Sequence, residues 1–316
     1  MAKFYYGGQA VIEGVMMRGR KFVVMAVRRP DQRIYLHREA LTPTMYRNRI
    51  FRLPFLRGVL LLWEMLILGS RLMTLSANIA SGAIDPEELP DNTEELPRMD
   101  RATLIVPMLV SLSLAVAVFF VGPMLATSLM PAMISNSWLG FCVEGIIRLG
   151  LLLGYLYLIG RVPEIQRVFG YHGAEHKAIN AMEQGDPPDI EHVRKASRVH
   201  TRCGTGFLLL VVAVSIVVFA LIGLPSIWVR IIARIILVPV VAGIAYELMR
   251  LGAANYHYRV VYWLMAPVLA LQRMTTREPD DGMIACAVVA LRRVMEYDAQ
   301  EWPSSPTRPD QPPLAV

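Results

Sequence analysis

The alternation of apolar and polar positions divides the chain near residue 53. Before it the apolar runs are short and β-prone: Ala10-Val11-Ile12, Phe22-Val23-Val24-Met25-Ala26-Val27 and Arg33-Ile34-Tyr35-Leu36. Glycines and Pro30-Asp31-Gln32 punctuate them, so residues 1–53 predict a small β-rich segment. Beyond it the runs lengthen toward the roughly 20 residues a helix needs to cross a bilayer. Four spans are predicted, at about 102–122, 138–160, 206–223 and 227–249. They pair into one hairpin over 102–160 and a second within 206–271. The second ends in a short apolar stretch, 260–271, broken by Pro267, which either re-enters or lies at the interface. Residues 54–82 are also apolar, but Arg57, Glu64 and Arg71 recur every seven residues as one polar stripe, which predicts an interfacial or re-entrant helix. An acidic linker completes 54–101. Polar residues fill 161–205, and a last helix at about 283–298 precedes a Pro-rich tail within 272–316. The fold class expected is mainly α: a polytopic membrane protein with about four transmembrane helices, one or two interfacial or re-entrant helices and a small N-terminal β-rich cytoplasmic segment.

Composition agrees, with 54% hydrophobic and 18% charged residues among 316. The net charge of +6 points to topology rather than to nucleic acid, because no basic helix is interleaved with aromatics. The first 57 residues carry twelve Lys or Arg against three acids, and the loop to Asn136 carries no charge. Both termini are therefore expected in the cytoplasm of a bacterial cell, in a multi-pass protein of the inner membrane. Three cysteines (Cys142, Cys203, Cys286) do not make a disulfide framework, and no apolar signal core opens the chain. The expected partners are the lipid bilayer and a membrane-protein or lipid substrate, and the oligomeric state stays open.

The chemistry gathers at Phe169-Gly170-Tyr171-His172-Gly173-Ala174-Glu175-His176-Lys177. Offsets of three and four place His172, Glu175 and His176 on one helix face. Two imidazoles so spaced can hold zinc, and a neighbouring carboxylate can serve as general base, as in inverted zincins. Glu175 is the expected base. His172, His176 and Glu247 are the first choice of ligands, with His200 or Cys203 as alternative third ligands. If both of the last two bound, the site would close and become structural. His37, His192 and His257 are expected at the surface.

Other polar residues have plainer readings beside functional ones. Glu144, Arg148, Arg230 and Arg234 fall within spans, either as a packing ion pair or with excess positive charge reaching toward lipid phosphates. Glu13 or Arg18, in Gln9-Ala10-Val11-Ile12-Glu13-Gly14-Val15-Met16-Met17-Arg18, belong to a tight turn or to a loop offered to substrate. Glu278-Pro279-Asp280-Asp281 reads as helix-capping acids before it reads as a cation site. Glu247 could instead pair with Arg250.

Together G-G-Q-A-V-I-E-G-V-M-M-R at 7–18, F-G-Y-H-G-A-E-H-K at 169–177, H-T-R-C-G-T at 200–205, A-Y-E-L-M-R at 245–250 and T-T-R-E-P-D-D at 275–281 resemble the YqhQ-like family of bacterial membrane proteins. That resemblance implies a multi-spanning protein with a suspected metal site and no assigned activity. The function expected from the residues is a membrane-embedded zinc-dependent hydrolase facing the cytoplasm, a peptidase first and a lipid hydrolase on the same chemistry. A non-enzymatic membrane scaffold with a closed structural metal site is the alternative, and a small-solute transporter is a third.

Overall fold

A computed structural model of the chain describes residues 6–41, 53–84, 101–131, 137–223 and 226–299. Most of the acidic linker, the turn residues Leu224-Pro225 and the Pro-rich tail lie outside these residues.

The N-terminal segment is a four-stranded antiparallel meander: β1 (Gly7–Val11), β2 (Gly14–Arg18), β3 (Phe22–Arg28) and β4 (Ile34–Ala40). Val11 pairs with Gly14 across a two-residue turn at Ile12-Glu13, where Glu13 adopts φ 52°. The turn reading of this stretch therefore holds. Strand β2 lacks apolar alternation because both faces of the sheet are covered. On one face Val11, Met16, Val23, Met25 and Val27 pack against Leu68, Leu72, Leu75 and Ile79 of α1 (Leu56–Ala80). On the other, Ala10, Val15, Met17, Val24 and Ala26 meet α4 (Pro163–Gln184) and α9 (Asp281–Ala299). His37, expected at the surface, is 2% exposed because β4 turns it inward, where it contacts Glu39 at 2.9 Å.

The helices between form a bundle. Helix α2 runs Arg101–Val116, passes through a π-helical turn at Ala117–Val121 and continues as Gly122–Ser128. It is followed by α3 (Trp138–Ile159), the short α5 (Ile190–Lys195), α6 (Gly204–Ile222), α7 (Ile227–Ala254) and α8 (Arg259–Thr275). Phe120, Phe219, Val241 and Ala245 join α2, α6 and α7, while Leu152, Leu156, Val212 and Leu271 join α3, α6 and α8. Outside these contacts Val110, Leu114, Ile146, Leu158, Leu221 and Ile236 stand exposed, an apolar surface suited to lipid rather than water. The chain is a membrane protein.

Among the described residues five helices, rather than the four expected, are long and apolar enough to cross: Leu56–Ala80, Ile105–Ser128, Trp138–Ile159, Gly204–Leu221 and Ile227–Ala254. The additional one is α1. Its stripe is consumed by opposite charges on three elements: Arg57 on Glu247 of α7, Glu64 on Arg18 of β2, and Arg71 on Glu39 of β4. Near its start, Tyr246 of α7 lies against Gly58, and its last turns lie on the sheet. Helix α8 runs without interruption from Arg259 to Thr275, with Pro267 inside it.

Candidate metal centre

Helix α4 starts with Pro163, whose fixed φ suits the first helical position, and stops at Gly185, whose φ of 88° a side chain would strain. On its inward face His172 and His176 bring their rings to 4.4 Å centroid separation. Each ring is held by a backbone carbonyl. His172 Nδ1–H donates to Thr275 O at 2.8 Å, and His176 Nδ1–H donates to Arg198 O at 2.7 Å. A carbonyl can only accept, so each Nδ1 carries a proton and, in the neutral ring, Nε2 is the nitrogen with the lone pair.

The last residue of α8 and the loop before α6 supply those carbonyls, and both segments are fastened to α4. Residues 275–281 lie across the helix: Arg277 N–H donates to Phe169 O at 2.9 Å, and its carbonyl lies 2.1 Å from where a Cβ on Gly173 would stand. Only a bare α-carbon permits that approach. Residues 197–199 are held about two turns beyond Gly173, by Asn180 Nδ2 on Ser197 O and Val199 O at 2.6 and 2.9 Å. The fully buried Gln272 of α8 then pairs both ways with the His200 backbone. This fixes the turn that delivers Cys203 to the start of α6.

The result is convergence of three donors. One ligand atom each from His172, His176 and Cys203 lie within 4.8 Å of one another. Cys203 Sγ stands 3.4 Å from His172 Nε2. Tetrahedral zinc with ordinary Zn–N and Zn–S bonds separates such a pair by about 3.6 Å. The spacing, the inward lone pairs and the His₂Cys set all fit zinc with a fourth position open.

Glu175 borders the same space. It is 5% exposed, and its Oε2 lies 3.6 Å from His176 Nε2. Burial raises its pKa above the ordinary carboxylate value, while His172, His200, Arg202 and the Gly8 N–H pull it back down. Gly8 of β1 is the contact that motif reading missed. A Cβ there would come within 2.6 Å of Glu175 Cγ. Its only sequence signal is a glycine pair at 7–8.

Two expected ligands stand elsewhere. Glu247 is not among the converging donors: Arg57 clasps its carboxylate, with Nε at 2.7 Å from Oε1, and Phe55 N–H donates to Oε1 at 3.2 Å. Its partner is Arg57 rather than Arg250, because α1 docks along α7. His200 stacks near His176 at 5.8 Å, yet Arg202 Nη2 donates to its Nε2 at 3.3 Å, and Glu183 lies 3.6 Å from that nitrogen. The acids of 278–281 act as ties and a cap: Glu278 on Lys177, Asp281 on Arg194, and Asp280 accepting from Met283 N–H. Glu13 and Arg18 face Arg167 and Glu64.

The chain has close kin of the kind its motifs suggest. Residues 53–297 match the family described as "Protein of unknown function (DUF1385)". The chain is also 33% identical over 298 residues to "Uncharacterized protein YqhQ" of Bacillus subtilis (strain 168), an alignment spanning 93% of each protein. The chain belongs to this family. No solved structure matches it. The motif at 169–177 and the turn at 200–205 both lie within the family match, and together they supply all three converging donors. Segment 7–18, which supplies Gly8, precedes the family match.

Proposed function

We propose that this member of the DUF1385 family is a membrane-embedded, zinc-dependent hydrolase acting on a membrane protein or a lipid. The observation that carries the reading is the approach of two carbonyl-anchored imidazoles and one thiol to within 4.8 Å, beside a buried carboxylate. Zinc held by His172, His176 and Cys203 would polarise a scissile carbonyl and bring the pKa of water toward neutrality. Glu175 would take the proton of the attacking water and return it to the leaving group, a task suited to a carboxyl whose pKa burial has raised. Thr275 O and Arg198 O keep the ligand nitrogens aimed inward, the supporting role that commonly tunes a metal site. We place the site at the cytoplasmic face of the inner membrane, with α1 lying along that face, because its charged stripe is tied to the sheet and to α7.

A structural site closed by His200 gains no support from a ring whose Nε2 is engaged by Arg202. One observation favours a different second reading. Cys203 caps the start of α6, 3.4 Å from His172 Nε2, which is an arrangement for a cysteine nucleophile with its base.

The test is metal content together with cleavage of a fluorogenic peptide library by the full chain in nanodiscs. About one zinc per chain is expected. Glu175→Gln should keep the metal and lose turnover, whereas Cys203→Ala should lose both. Turnover that survives complete chelation but stops on thiol alkylation would replace the zinc reading with the cysteine one. Wild-type zinc content in His172→Ala and His176→Ala would overturn the metal site itself.

A further inference from the structure

At the end of the bundle away from the His–Cys centre, four ionisable side chains are buried together: Glu144 and Arg148 of α3, and Arg230 and Arg234 of α7. Arg234 Nη2 donates to both Glu144 oxygens, at 2.8 and 2.7 Å, and Arg148 Nη2 donates to Oε1 at 2.6 Å. Arg148 Nε and Nη1 donate to Phe119 O and Ser215 Oγ. The faces of Phe120 and Phe219 lie against these guanidiniums, but they bring no negative charge. One carboxylate therefore answers three guanidiniums, which leaves two positive charges.

Among the described residues no other carboxylate pairs with them. Between residues 102 and 160 the only acid is Glu144, and between 204 and 246 there is none. Arg230 is 8% exposed and has no acceptor among the described residues; its Nε and that of Arg234 are buried without a partner. These two side chains stand one helical turn apart on the same face of α7. Arg230 lies in the first turn, about 5 Å along the helix from its start, with Arg234 about 6 Å deeper. That is the depth at which a lipid headgroup meets a helix end. Unbalanced charge at such depth is expensive and marks function by default. Guanidinium is also the side chain best matched to phosphate oxygens.

We infer that Arg230 and Arg234 form a binding site for a phosphate group, with Glu144 and Arg148 holding Arg234 in place, and that the anionic headgroup of a phospholipid occupies it. The site is separate from the proposed hydrolytic centre and does not depend on it.

The experiment uses the full chain, delipidated in neutral detergent, with thermal unfolding followed as phosphatidylglycerol, phosphatidylcholine or inorganic phosphate is titrated. Phosphatidylglycerol should raise the melting temperature well beyond phosphatidylcholine. Arg230→Gln should weaken phosphatidylglycerol binding about tenfold or more, the loss expected of one charge-assisted contact. Arg161→Gln, at the opposite end of α3, should leave it unchanged. Stabilisation by inorganic phosphate as strong as that by phosphatidylglycerol would keep the site but assign it to a free anion. Arg234→Gln also breaks the pair with Glu144, so Arg230→Gln is the deciding variant. If it responds to phosphatidylglycerol as the wild type does, or if neither anion stabilises the wild type, the inference fails.

Discussion

Adding one methyl group at Gly173 tests whether the 275–281 segment aims His172. The new Cβ would stand 2.1 Å from Arg277 O, a backbone atom that cannot swing aside as a side chain would. Helix and segment must part by at least about 1.3 Å to restore ordinary contact. Overpacking of this kind costs about 1–3 kcal/mol, and the gain in helix propensity from Gly to Ala, about 1 kcal/mol, offsets only part of it. The displacement falls on the Arg277 N–H bond to Phe169 O and on Thr275 O, which anchors His172 Nδ1 at 2.8 Å. Loss of such an outer partner typically weakens metal affinity about 10–100-fold. Gly173→Ala should therefore melt several degrees lower and bind zinc within that weakened range, measured by competition with a chromophoric chelator. Gly150→Ala in α3, where a Cβ meets nothing within 4 Å, is the control and should bind zinc as the wild type does. Wild-type zinc affinity in Gly173→Ala would refute the idea that the segment orients the ligand.

Three further outcomes are expected. Glu247→Gln should leave zinc content unchanged while lowering the melting temperature, because it loosens the tie to Arg57; loss of zinc would restore Glu247 as a ligand. Gly8→Ala crowds Glu175 and strains the Gly8 N–H contact, so turnover of the library should fall with metal content near normal, as read in parallel by atomic absorption. Glu13 has a pKa below its ordinary 4.5, first through its hydrogen bonds from Arg167. A depressed folded pKa means that stabilisation is present above about pH 4.5 and is lost as pH falls through the folded value. Melting temperature should therefore drop less between pH 6 and pH 3.5 in Glu13→Gln than in the wild type, and equal drops would contradict the pairing.

The spans were legible because lipid solvation demands long unbroken apolar runs: α3, predicted at 138–160, is Trp138–Ile159. The face shared by His172, Glu175 and His176 was equally legible, since helical offsets settle it. Cys203 was visible as one of two alternative third ligands, because it precedes a span on the expected side. What escaped were groups whose identity a side-chain pattern does not record. Thr275 O, Arg198 O and the Gly8 N–H are backbone atoms, which any residue type would supply. Strand β2 escaped because burial on both faces erases alternation. The place of Glu247 away from the histidines is not legible, because its distance along the chain says nothing of α1, whose Arg57 takes the carboxylate. The stripe on α1 was seen as polar, but its three partners on the sheet and α7 emerge only from packing.

The placement of the two carbonyl anchors has a consequence for biosynthesis. A ribosome that has finished residue 203 has made both imidazoles and the thiol, yet Thr275 is still 72 residues from being synthesised. A half-made chain therefore carries the donors with one ring free to turn away. Competence would come late in translation, once the closing segment settles over α4; under the proposed function, a cell would then be spared hydrolysis by a membrane protein still being inserted.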